Sequence, residues 1–198
     1  MDRFDHNGDY GVFAPLLEAD GVPSDKAGCL RDAAFFERTF NLSNAQRLIQ
    51  TFLPALDTPL PGASGLFRDA LAKRLAWARN GELTQQQRRL AKFYLDNGDY
   101  VRAAIFGYEA LISRECERRG FDKYAWENGR KLAADVFEKE VKNKEYSKAV
   151  ADAFWLLKNL RNSLAHGNPP EEKKWREIIV NPQRLPSELR RAIDRLLT

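Results

Sequence analysis

The residues with most chemistry to offer stand in one short run, Arg161-Asn162-Ser163-Leu164-Ala165-His166. Histidine takes or gives a proton near neutral pH, as attack by a 2′-hydroxyl on the adjacent phosphate requires. Arginine carries a permanent, planar charge whose fork matches phosphate oxygens as negative charge develops on them. Asparagine can orient an imidazole or hold a phosphate without adding a charge. Together Arg161, Asn162 and His166 suit cleavage of an RNA phosphodiester without a metal. No other group in the chain competes: no second histidine is near, no glycine-rich phosphate loop precedes a helix, and no Asp/Glu/His spacing suits a metal. His6 stands in a polar N-terminal stretch and reads as solvated. No cofactor is expected.

Five residues separate Arg161 from His166, so a regular helix sets them about 140° apart. Either the helix loosens near Gly167, or a second copy of the chain completes the site across a two-fold axis. Asn162 and His166 are four apart and are expected to touch. The helix that carries them reads from about Tyr146 to His166. Its apolar stripe, Val150, Ala153, Phe154, Leu157, Leu160 and Leu164, has the spacing of a buried face. A second stripe holds Trp155, Asn159, Asn162 and His166, where an ordinary solvated face would carry Lys and Glu. That stripe suits a site or a self-complementary interface. The plainer reading is a helix-terminal His favoured by the dipole, with Arg161 in a surface ion pair. Lys158 and Arg114 could hold flanking phosphates, though solvated charge is the simpler account of both.

The elements that must position these residues read as helices almost throughout. Ser24 or Asp25 caps a helix to about Phe40, and Ser43 to Gln46 forms a capping box for the next. The Pro- and Gly-rich segment 57–65 reads as a linker behind an N-terminal helical layer, 1–57. Leu66 to Arg79 follows as one helix. Thr84 to Gln87 is a second capping box, and its helix stops at Asp96-Asn97-Gly98. Asp99 caps a long helix from Tyr100 to Arg119, ended by Gly120; further helices cover Arg130 to Lys142 and Pro186 onward. Ile178-Ile179-Val180 is the one strand-like run. Asn7-Gly8-Asp9-Tyr10 recurs as Asn97-Gly98-Asp99-Tyr100, which turn-ending Gly and helix-capping Asp explain without a repeat. The expected fold is all-α, an antiparallel helical bundle forming one domain over 1–198, with the motif in 66–198.

Composition agrees with a globular chain. Of 198 residues, 43% are hydrophobic and 30% charged, and a net charge of +4 permits a nucleic-acid partner. The polar start does not read as a signal peptide, and no apolar run is long enough to span a bilayer. Cys29 and Cys116 lack any motif partner and read as reduced thiols, which fits the cytoplasm.

Arg161 to His166 matches the R-x(4–6)-H motif of HEPN ribonucleases, including the Asn that commonly follows the Arg. Upstream, Leu90 to Tyr100, Ala103-Ala104 and Tyr108-Glu109-Ala110-Leu111 resemble the helical half of CRISPR-associated HEPN effectors of type III systems. The resemblance covers about Thr84 to His166. It implies a homodimer whose two motifs meet in one composite, metal-independent site that cuts single-stranded RNA and leaves a cyclic phosphate. It implies catalytic roles for Arg161 and His166 and a supporting one for Asn162, in CRISPR-linked antiviral defence. No role for Glu109 carries over. In that family a CARF sensor domain for cyclic oligoadenylate precedes the helical half; these residues hold no such parallel α/β half, so they read either as a stand-alone HEPN protein or as the effector portion of a longer one, and cyclic-nucleotide regulation is not assigned to them.

Two other readings stand beside this one. A HEPN domain can bind RNA or a partner protein without cleaving. The run from Gly98 through Leu111 also has the flavour of a tetratricopeptide interaction scaffold, although only one such unit is visible and arrays need about three.

Overall fold

The computed structural model describes Phe4 and residues 8–197; His6 lies outside the described residues. The regular structure of these residues is helical, with no strand among them and a single isolated bridge between Asp122 and Gly129. Internal contacts divide the chain into two compact units, residues 1–81 and 82–198. The division falls at Gly81, beyond the segment 57–65 that reads as a linker.

The first unit holds a 3-10 turn at Tyr10–Phe13, then helices α1 (Ala14–Ala19), α2 (Ser24–Arg38), α3 (Leu42–Phe52) and α4 (Arg68–Leu75). Asn41 caps α3, its side chain accepting from the Asn44 N–H, so the cap sits two residues before the expected box. The segment 57–65 is tied down, because the backbone and hydroxyl of Ser64 both donate to Asp20 Oδ2 at 2.7 Å. Those bonds hold the Asp20 carboxyl below its usual range. The expected single helix from Leu66 to Arg79 is α4 flanked by 3-10 turns at Gly62–Phe67 and Ala76–Ala78. Beneath them Arg74 and Glu37 form a buried ion pair, with the Tyr10 hydroxyl donating to Glu37 at 3.1 Å and Arg74 Nε to the Gly8 carbonyl at 3.0 Å. The added hydrogen bonds are what make such a buried pair tolerable.

The second unit holds α5 (Leu83–Asp96), α6 (Tyr100–Arg119), α7 (Arg130–Lys142), α8 (Lys148–His166), α9 (Lys173–Ile179) and α10 (Arg184–Leu197). Helices α5 and α6 form an antiparallel hairpin whose turn is set by Gly98 at φ 74° and by Asp99 accepting from the Arg102 N–H at 2.9 Å. The echoed Gly8-Asp9 does the same at Tyr10, with Gly8 at φ 66° and Asp9 accepting from the Gly11 N–H. Local capping therefore accounts for both copies. Helix α8 packs on α6 and α10, and α7 packs on α6. Gly107 lies where three helices converge. A Cβ there would sit 3.0 Å from Ile193 of α10 and 3.5 Å from Leu157 of α8. The Ile178-Ile179-Val180 run is the end of α9 rather than a strand: Trp175 and Ile178 are buried one turn apart, and Val180 is 77% exposed.

Candidate active site

Helix α8 starts at Ser147, whose side chain accepts from the Val150 N–H, and ends at Gly167 in the left-handed conformation at φ 67°. Glycine adopts that conformation without steric cost, which is why the helix stops there. The expected core stripe is buried at Ala153, Phe154, Leu157 and Leu160, while Val150 and Leu164 are half-buried. Leu156 is buried too. Its burial follows from α8 having helices on two flanks, α6 and α10, so its apolar face is wider than one stripe.

Arg161 is half-buried and leans on α6. Its guanidinium carbon lies 4.3 Å from the centroid of the Tyr108 ring, and Nη1 donates to Asn162 Oδ1 at 2.8 Å. Burial pushes the Tyr108 phenol above its ordinary pKa, against the opposing pull of Arg161. The ring is therefore neutral at physiological pH and offers its π face to a permanent cation. The arginine plane is held by a ring below and an amide beside it, a preorganised fork with donors left for an anion.

His166 is exposed in the last turn of α8. The helix is regular through His166, so the five-residue spacing keeps Arg161 and His166 about 140° apart on one chain. Arg161 and Asn162 are joined by a hydrogen bond; His166 keeps its place one turn beyond Asn162 on the helix, and among the described residues no hydrogen bond joins it to either. The side-chain oxygen of Asn162 is engaged by Arg161, so the arrangement orients the guanidinium rather than the imidazole.

The remaining members of the polar stripe have local partners. Asn159 Nδ2 donates to the Trp155 carbonyl at 2.7 Å, and Trp155 is half-buried under Lys158 at 5.5 Å and Lys142 at 5.9 Å. Both lysines pair with Glu138 of α7. Lys158 is thus part of an interhelical network, and Arg114 donates to the Leu196 carbonyl at the end of α10 and pairs with Glu115. Glu109 pairs with Arg130 at 2.5 Å. The residue missed by sequence reasoning is Tyr108. It stands in the run that resembles the HEPN effectors, yet spacing within one helix could not show that it supports Arg161 on another.

Among the described residues, no group of three or more His, Cys, Asp or Glu is placed to hold a metal, and no helix is long and apolar enough to cross a membrane. Cys29 and Cys116 are both free thiols. Comparison with protein-family models, curated proteins and solved structures finds no match for this chain.

Proposed function

We propose that this chain is a HEPN-type endoribonuclease that cuts single-stranded RNA without a metal, as a homodimer. The observation that carries the reading is the geometry of α8. Arg161 is held as a preorganised cation on Tyr108, and His166 stands exposed on a different side of the same regular helix. One chain therefore offers the two chemical halves in different directions, and a two-fold axis beside the end of α8 would let each copy's Arg161 meet the other's His166. The histidine would take the proton of the RNA 2′-hydroxyl, which attacks the adjacent phosphorus and expels the 5′-oxygen of the next nucleotide, and that oxygen would take a proton from solvent water as it leaves. The arginine would neutralise the charge growing on the non-bridging oxygens. The products would be a 2′,3′-cyclic phosphate and a 5′-hydroxyl, and the resemblance noted in the sequence supports a role in CRISPR-linked antiviral defence.

The test is incubation of the purified chain with single-stranded RNA in EDTA, beside His166→Ala purified identically and beside single-stranded DNA of the same sequence. Cleavage of RNA alone that persists in EDTA and disappears in His166→Ala is the expected result. Equal cleavage of DNA, or full activity in the variant, sinks the proposal. RNA binding with no cleavage by either protein would favour a non-cleaving module of the same fold.

A further inference from the structure

A second site lies on the other half of α8. Between the first half of α8, helix α9 and the length of α10 the second unit holds an open cavity of about 460 Å³. That volume is in the range of small-molecule sites. Its apolar surface comes from Ala149, Ala153, Leu156, Ile178 and Ala192. Five cations and three carboxylates stand around it, so the balance is positive. Three of the cations are already engaged: Lys148 pairs with Asp152 at 2.5 Å, Arg191 with Glu188 at 3.0 Å, and Lys174 with Glu172 at 3.4 Å while lying 4.0 Å from the Trp175 ring centroid. Arg184 and Arg195 remain, exposed and with no carboxylate partner among the described residues.

Trp175 supplies a second observation. It lines the same cavity, is 5% exposed, and its buried indole N–H has no hydrogen-bond partner among the described residues. Buried donors are normally satisfied, so this one is left over for an acceptor that a ligand beside Trp175 would bring.

We propose that this cavity binds a small phosphorylated ligand with a planar body, of the size of a nucleoside monophosphate. Guanidinium forks recognise phosphate oxygens, and Arg184 and Arg195, at opposite ends of α10, each offer one at their own end of the cavity. Small alanines beside Leu156 and Ile178 leave flat apolar space for a ring, and the indole N–H meets a ligand acceptor. Neither Arg161 nor His166 lines the cavity: His166 is ten residues from Leu156 on α8, about 15 Å along its axis, and Arg161 is five residues from it and about 140° round the helix. It stands whether or not the chain cleaves RNA.

The full chain is titrated with adenosine monophosphate and uridine monophosphate by calorimetry and tryptophan fluorescence, with adenosine and inorganic phosphate as partial ligands. The expected result is saturable one-to-one binding of a monophosphate, at least about tenfold tighter than either partial ligand. Arg184→Ala with Arg195→Ala weakens it by at least about tenfold. Both are exposed and unpaired, so helicity and Tm stay at the parent values. Trp175→Phe removes the fluorescence response. Binding that ignores the double substitution, or no saturation by either nucleotide, overturns the proposal. So does a single-stranded RNA that binds through Arg184 and Arg195 more tightly than the monophosphates, because it makes the cavity part of an RNA track.

Discussion

The guanidinium of Arg161 rests on the ring of Tyr108, joining α8 to α6 at the first residue of the motif. Tyr108 is 7% exposed, so the ring cannot swing away without opening the interface between the two helices. A cation over a largely desolvated aromatic face is worth about 0.5–2 kcal/mol, enough to choose one orientation for a flexible side chain. The Asn162 amide fixes the remaining rotation. The arginine is thereby set before any substrate arrives.

Tyr108→Phe keeps the ring and is expected to retain both stability and RNA cleavage. Tyr108→Leu fills much of the same space without a π face. It should lower cleavage beyond its effect on folding, costing about 0.5–2 kcal/mol of arginine orientation. Comparing cleavage rates at a temperature where circular dichroism shows all three proteins folded checks this. Equal rates for Tyr, Phe and Leu would show that the ring only fills space.

Packing where α6, α8 and α10 meet should tolerate little change in volume. Leu160 is fully buried, and Leu160→Ala is expected to cost about 2–5 kcal/mol. Gly107→Ala trades about 1 kcal/mol of helix propensity against a 3.0 Å contact with Ile193, and should come out near neutral. Gly107→Val adds more atoms in the same place and should cost about 1–3 kcal/mol. Urea unfolding of the three variants gives these differences directly. A stabilised Gly107→Val would mean that the helices are free to spread there.

Acid should loosen α7 from its neighbours. The Glu140 carboxyl is held below its ordinary range by hydrogen bonds from Arg119, which outweigh its burial. Burial pushes the Glu138 carboxyl up, but hydrogen bonds from Lys158 and Lys142 carry it below its ordinary value. A carboxyl with a depressed folded pKa stabilises the fold above its unfolded value, about 4.3 for glutamate, and loses that contribution as pH falls through the folded value. Tm is therefore expected to fall as pH drops below about 4.3. Glu140→Gln should be less stable than the parent at pH 7 and lose less on acidification. An unchanged acid slope in that variant would remove Glu140 from the account.

The parts of the fold legible in the sequence are those with local causes. Helix α6 runs from Tyr100 to Arg119 because Asp99 caps one end and Gly120, at φ 70°, releases the other. Both are readable from residue type alone. Thr84 shows the limit, since its hydroxyl bonds to Glu117 at 3.0 Å instead of capping α5. Helix α9 was hidden because Ile178-Ile179-Val180 favours strand locally, while burial of Trp175 and Ile178 on one face rewards helix. At the candidate site, Arg161, Asn162 and His166 stand out by type and spacing. Their contacts do not, because Tyr108 comes from a distant helix and Arg161 takes the Asn162 oxygen that spacing assigns to His166.

The strongest test of the proposed site uses two inactive proteins. Arg161→Ala and His166→Ala chains, each with a different affinity tag, are co-expressed and the heterodimer is isolated by sequential purification on both tags. Neither residue lies at the centre of the buried stripe of α8, so both variants should fold and dimerise. If the site is built across the axis, a two-fold dimer holds two Arg161–His166 pairs, each with one residue from either copy. In the heterodimer one pair has lost both residues and the other has lost none. Its expected activity is about half that of the parent dimer, against near-zero for both homodimers. If Arg161 and His166 instead act together within one chain, each copy in the heterodimer lacks one of them and the protein is inactive. The regular course of α8 through His166 argues for the first outcome, since that helix keeps the two residues about 140° apart on their own chain. An inactive but fully folded heterodimer would refute the cross-axis site, and a single chain by light scattering would remove the axis itself.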